Sequence, residues 1–168
     1  KFAAGEITEK DKEFYTHDLN SGISGFNKIN LKSKDSIDLN KIISEDKPLK
    51  NYSKTINHPR KVMVKNLDEY INENNIKRIN LLKLDTQSFE IDILKGLAKS
   101  LSLIDIIISE VKFYDYYEKQ LSFHELESLL NPFDFKLYDI SHISKNPMNG
   151  RTDWVDVIYV KSSCANER

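Results

Sequence analysis

Cysteine is almost absent: Cys164 stands alone in 168 residues, so no disulfide framework and no Cys-rich zinc site can form within the chain. Glycine is scarce, at five residues, and none of them builds a G-x-G-x-x-G cluster after a strand and at the start of a helix. That excludes a sequence-visible cradle for a nucleotide or for the carboxylate of an amino-acid cofactor. A P-loop, an H-E-x-x-H pair, a nucleophile elbow and a basic stripe interleaved with aromatics are missing as well, and no metal motif is visible. The longest apolar run, Ile104 to Ile108, is interrupted by Asp105 and is far too short to cross a bilayer. The first residues lack the basic-then-apolar order of a signal peptide. With 25 basic against 26 acidic residues there is no global pull toward nucleic acid or membrane, and a cytoplasmic protein is expected. The sequon Asn51-Tyr52-Ser53 would matter only in a secreted protein and is read as chance.

What is present divides into two parts. Up to about Arg60 the chain is polar and punctuated by Gly5, Gly22, Gly25, Pro48 and Pro59, with short apolar pieces, Phe14-Tyr15 and Ile37-Asp38-Leu39, that suggest brief strands or turns. From Lys61 onward strand and helix patterns alternate, which predicts βα units and a parallel sheet flanked by helices. Lys61 to Val64 is a short strand, and Leu67 to Asn74 a modest helix. Ile79 to Asp85 is apolar on both faces, as in a central strand covered on each side. A helix over about Ser88 to Ser100 buries Ile91, Leu94, Leu97 and Leu101, and Ile104 to Val111 is a second buried strand. Ser122-Phe123-His124-Glu125 has the form of a capping box, with Leu121 and Leu126 placed as a hydrophobic staple and Pro132 marking the exit. Phe135 to Ile140 and Trp154 to Val160 are two late strands. The loop between them is too short for a crossover helix, so they are expected to be antiparallel. A parallel sheet closed by an antiparallel last strand is the Rossmann-like arrangement of class I methyltransferases, here by fold analogy.

In an open α/β sheet, ligands bind beyond the carboxyl ends of the strands, and two strands stop at acids, Asp85 and Glu110. On neighbouring strands about 4.8 Å apart, both carboxylates would share one rim. Such a pair suits a general base with an orienting partner, a hard-metal site, or a pair sharing one proton. Lys83 lies on the face of Asp85 and needs a carboxylate, for which Glu110 and Asp85 are the candidates; a structural ion cluster is the plainer account of all three. Glu90 sits in a first helical turn, where the helix dipole favours any acid, and needs no functional explanation. His17 and His142 could act as bases on a hydroxyl substrate, although loop histidines are more often solvated. His58 and His124 read as surface residues. Tyr114, Tyr116 and Tyr117 could stack on a ring or sugar, or simply begin a helix. Arg151 and Asp153 could bracket a polar substrate or form a loop ion pair. Asp156, inside a strand, should have a partner.

The run Ile79 to Leu97, with Leu-Lys-Leu-Asp-Thr-Gln-Ser-Phe-Glu at its centre, resembles the FkbM methyltransferase pattern Leu-Lys-Ile-Asp-Val-Gln-Gly-Phe-Glu followed by Val-Leu-Lys-Gly. Ile106 to Phe113, Phe135 to Ile140 and Trp154 to Val160 follow in the family's order, and Leu67-Asp68-Glu69-Tyr70 resembles its helix start. Ser88 stands where the family usually has glycine. The resemblance implies methyl transfer from S-adenosylmethionine to a hydroxyl of a sugar or other secondary-metabolite-type acceptor. It also implies a partial domain over residues 1–161, with the N-terminal strands and Gly-rich loop missing, residues 27–60 as an insertion or loop, and 162–168 as a polar tail. In this reading Asp85, Glu110 and Lys83 form the catalytic rim and Asp85 and Gln87 touch the cofactor, while His17, Tyr114 and His142 meet the acceptor. The competing expectation is a non-catalytic remnant or interaction module that cannot bind cofactor alone and associates with itself through an exposed sheet edge.

Overall fold

The computed structural model describes residues 1–18, 20–34, 36, 54–147 and 149–165, and among these described residues stretches that alternate or run apolar build seven strands. Ile37-Asp38-Leu39, Pro48 and the Asn51 sequon lie outside the described residues. In chain order the elements are β1 (Ala3–Gly5), β2 (Glu9–Thr16), β3 (His58–Asn66), α1 (Leu67–Glu73), β4 (Ile79–Leu84), α2 (Glu90–Lys95), β5 (Ile104–Lys112), α3 (Phe123–Leu130), β6 (Phe135–Lys145), β7 (Thr152–Lys161) and a last short helix, α4 (Ser162–Ala165).

The strands fall into two sheets, a three-stranded one in the order β1-β3-β2 and a four-stranded one in the order β4-β5-β7-β6. The expected single parallel sheet is thus corrected. β3 does not join β4 but pairs parallel with β1 and antiparallel with β2, since β2, read as a brief piece, is eight residues long and runs alongside it. In the larger sheet β4 and β5 are parallel, and β7 runs antiparallel to both β5 and β6.

One face of this sheet packs against the helices. Ile71 of α1, Ile93 and Leu94 of α2, and Leu126 and Leu130 of α3 form one buried cluster with Leu84, Ile107, Val157 and Tyr159. α3 begins as its sequence dictates: the Ser122 hydroxyl accepts the Glu125 amide while the Glu125 carboxylate takes the Ser122 amide, and Leu121 and Leu126 are both buried. The opposite face is not covered by any described helix. Leu81, on that face, is 53% exposed, so β4 is a half-covered edge strand and not the central strand its composition predicts. Among the described residues no helix is long and apolar enough to cross a membrane.

The two sheets meet where β1 passes α2. A Cβ placed on Gly96, at the end of α2, would stand 2.1 Å from the Gly5 carbonyl oxygen, so backbone touches backbone there. The Gly96 carbonyl also accepts the Asp68 amide at 2.9 Å, and the Asp68 carboxylate accepts the Lys99 amide at 3.0 Å. The segment expected as a polar tail is in part α4, where the Ser162 hydroxyl donates to Asp134 at 2.9 Å and Cys164 lies 3.7 Å from Asp105.

Candidate active site

Parallel pairing of β4 and β5 sets Leu84 opposite Ser109, so Asp85, just past the end of β4, and Glu110, still within β5, stand at neighbouring positions of one rim. A cavity of about 290 Å³ opens at this rim, walled by Gln87, Glu110, Lys112, Tyr114, Tyr116 and Trp154. The loop Asn20–Ile23 and Asp153 close it. A polar hollow of about 620 Å³ beside Asn66 and Lys99 lies toward the other end of these strands, and an apolar one of about 510 Å³ lies on the far side of the β6–β7 hairpin, against Phe113, Ile143 and Val155. The polar hollow is lined by Glu6, Asp68, Glu69, Lys95 and Lys99 but by neither Asp85 nor Glu110, and the apolar one carries no acid.

Alternation along β5 puts Glu110 and Lys112 on the uncovered face. The Lys112 ammonium donates to the Glu110 carboxylate, and the two side chains are 8% and 11% exposed. Trp154 lies opposite Lys112 on β7 and completes this wall. The His142 ring stacks on it, with ring centres 4.7 Å apart and planes 18° from parallel. Tyr114, Tyr116 and Tyr117 pack edge to face in succession, and the Lys112 ammonium lies 5.9 Å from the centre of the Tyr117 ring. Burial, with neighbouring tyrosines and acids, pushes the Tyr117 phenol far above its usual range, so it remains a donor. It donates to Gln87 Oε1 at 2.6 Å, and Gln87 Nε2 donates to Asp85 Oδ1 at 3.1 Å. Tyr117, Gln87 and Asp85 therefore form one chain of hydrogen bonds along the rim.

The turn after β4 is strained. Gln87 and Ser88 both take left-handed backbone angles, φ 58° and 67°. For residues other than glycine each costs about 1 kcal/mol, and Ser88 adopts a conformation that glycine takes without that cost. Asn27 donates to the Ser88 carbonyl at 2.7 Å, and a Cβ on Gly25 would lie 3.1 Å from Gln87 Cβ, so the 20–27 segment lies tight against the turn. Beneath it the Thr86 amide donates to Glu90 Oε1 at 2.8 Å, while Glu90 Oε2 is buried with no hydrogen-bond partner.

Of the residues expected to act, Gln87, Glu110 and Tyr114 line the cavity, Asp85 adjoins it through Gln87, and His142 through Trp154. Two are elsewhere. Lys83 pairs with neither Asp85 nor Glu110; its ammonium meets Asp156 of β7 at 3.1 Å, reaching past Ile108 of β5, and it does not line the cavity. Asp156 thereby gains the partner it needs. His17 is buried away from the cavity, its Nδ1 accepting the Asn57 amide at 3.1 Å. Burial, and then neighbouring His58, pushes its pKa down to about 4, so the ring is neutral at neutral pH. Sequence reasoning missed Lys112 and Trp154. Lys112 was accessible, because two residues after Glu110 is the same face of one strand.

A model of the family described as the methyltransferase FkbM domain matches residues 9–137, which include the 85–88 turn, Glu110, Lys112 and the three tyrosines but not Trp154. No curated protein and no solved structure matches the chain.

Proposed function

The chain belongs to the methyltransferase FkbM family, and from that premise we propose that it serves S-adenosylmethionine-dependent O-methylation on a Rossmann-like sheet, with a sugar or other secondary-metabolite-type hydroxyl as acceptor. The observation that carries this reading is the meeting of a lysine-paired carboxylate, Glu110, with the rings of Tyr114, Tyr116 and Trp154 in one cavity with room for a single sugar ring. Aromatic faces suit the C–H surfaces of a sugar, and carboxylate and amide groups suit its hydroxyls.

S-adenosylmethionine supplies an electrophilic methyl group. The described residues fit its rim only: Asp85 and Gln87 lie where a strand end meets a ligand, but no glycine-rich strand-to-helix turn is present among them to hold its amino-acid end. The chain's own residues are therefore assigned to the acceptor. Glu110 takes the hydroxyl proton through the oxygen that Lys112 does not engage, while Lys112 keeps the carboxylate in place. Tyr114, Tyr116 and Trp154 hold the ring and exclude water. Asp85 orients the Gln87 amide so that its oxygen meets Tyr117. Lys83 has no part in proton transfer.

The test is transfer of labelled methyl from S-adenosylmethionine to a panel of methyl glycosides, together with calorimetry using S-adenosylhomocysteine. Glu110→Gln should lower transfer by about a hundredfold or more while product-cofactor binding is unchanged. Full activity in Glu110→Gln would refute the assignment. A second reading, an interaction module, is favoured by the open edge of β4 and the missing cradle. Calorimetric silence together with self-association in solution would select it.

A further inference from the structure

Buried acids are costly unless a cation or several donors meet them, and the described part of the chain holds one, Glu90, with a sealed oxygen that no hydrogen bond reaches. Glu90 is 1% exposed. Its Oε1 accepts the Thr86 amide and its Oε2 has no hydrogen-bond partner, with the Glu90 amide and the Thr86 hydroxyl, also buried without a partner, as the other donors beside it. Lys112 of β5 is the cation that bears on it, and that ammonium is already taken by Glu110. The titratable group facing it from the segment after β5 is Tyr117, a buried phenol that supplies no positive charge. An isolated carboxylate here would forfeit several kcal/mol of solvation, whereas a carboxylic acid keeps the same Thr86 contact and loses far less. The helix dipole at α2 does not settle the matter, because its effect is less than the cost of burying an unpaired charge.

We propose that Glu90 is a positioning residue that stays protonated at neutral pH, its Oε1 clamping the Thr86 amide so that the 85–88 turn presents Asp85 and Gln87 to the cavity. The strain in that turn gives the clamp its purpose. Two adjacent left-handed residues would relax if nothing held the amide before them, and Gln87 would then leave both Tyr117 and Asp85. Burial, the largest influence, raises the Glu90 pKa, while the Thr86 amide, the Glu90 amide, the Thr86 hydroxyl and Lys112 oppose that rise. The clamp is a statement about protonation and backbone, so it can fail while the methyltransferase reading stands, and the reverse.

Two variants and a reference separate the outcomes. Glu90→Gln reproduces the shape and donor of a protonated acid, Glu90→Leu keeps the bulk without an acceptor, and the unaltered chain is the reference. A group whose folded-state pKa is raised costs stability once pH climbs above its unfolded value, 4.5. The unaltered chain should therefore lose stability relative to Glu90→Gln as pH rises from there, seen as a higher urea midpoint for the variant at pH 8 and coincident midpoints at pH 4. Infrared spectra at pH 7 should show a protonated-carboxyl band that Glu90→Gln removes. Hydrogen exchange at the Thr86 amide should be slow in the reference and in Glu90→Gln but fast in folded Glu90→Leu. A Glu90→Gln variant that is less stable at pH 8, or a spectrum without that band, overturns the neutral acid. Unchanged exchange at Thr86 in folded Glu90→Leu overturns the clamp.

Discussion

The two faces of the four-stranded sheet are made by the same strands and differ by a single step of the pleat. On one, Ile107, Val157 and Tyr159 are fully buried beneath three helices. On the other, Lys83, Glu110, Lys112 and Asp156 stand in a row, acids opposite one another across β5 and β7, each neutralised by a lysine from its own or another strand. The difference shows that the proposed site rests on half-burial and not on exposure. Charges there are dry enough to need fixed partners and open enough to meet a ligand.

Three substitutions would break or sharpen this contrast, each read by urea unfolding. Ile107→Ala, on the covered face, removes buried volume beneath the helices and should cost about 3 kcal/mol. Lys112→Met leaves Glu110 without its counter-ion in a setting that is only about a tenth exposed, and should cost about 2 kcal/mol, less than a fully buried pair because some solvent reaches it. Leu81→Ser, on the uncovered face, should change stability by under about 0.5 kcal/mol. If it costs as much as Ile107→Ala, that face is covered in solution and the contrast is lost.

Local rules reached some features and not others. The capped helix α3 and the antiparallel turn between β6 and β7 were legible because each is fixed by residues near one another in the chain. The nearness of Asp85 and Glu110 followed from the parallel pairing of their strands, although β5 runs on to Lys112 and does not stop at Glu110 as its composition suggests. Strand partners did not follow, because period-two patterning marks a strand without saying what lies beside it; β3 left for β1 and β2 on that account. The Lys83 partner was hidden for a related reason, since it is diagonal, across an intervening strand. The helix-start position of Glu90 was legible but its burial was not, because that position explains an acid at the surface and says nothing about one that is sealed. The loop at Asn20–Ile23 has no periodicity, so nothing in its composition announced that it would close the cavity.

Gly96 makes one part of the molecule intolerant of even a methyl group. With the Gly5 carbonyl 2.1 Å from where a Cβ would sit, alanine could enter only by prising the smaller sheet off the larger one. The seam between them is thus a keyway cut to the width of a hydrogen atom. The strained turn at Gln87 begins the same short helix that ends in this seam, and a wedge driven in at its far end would be felt at the rim where the acceptor is proposed to bind.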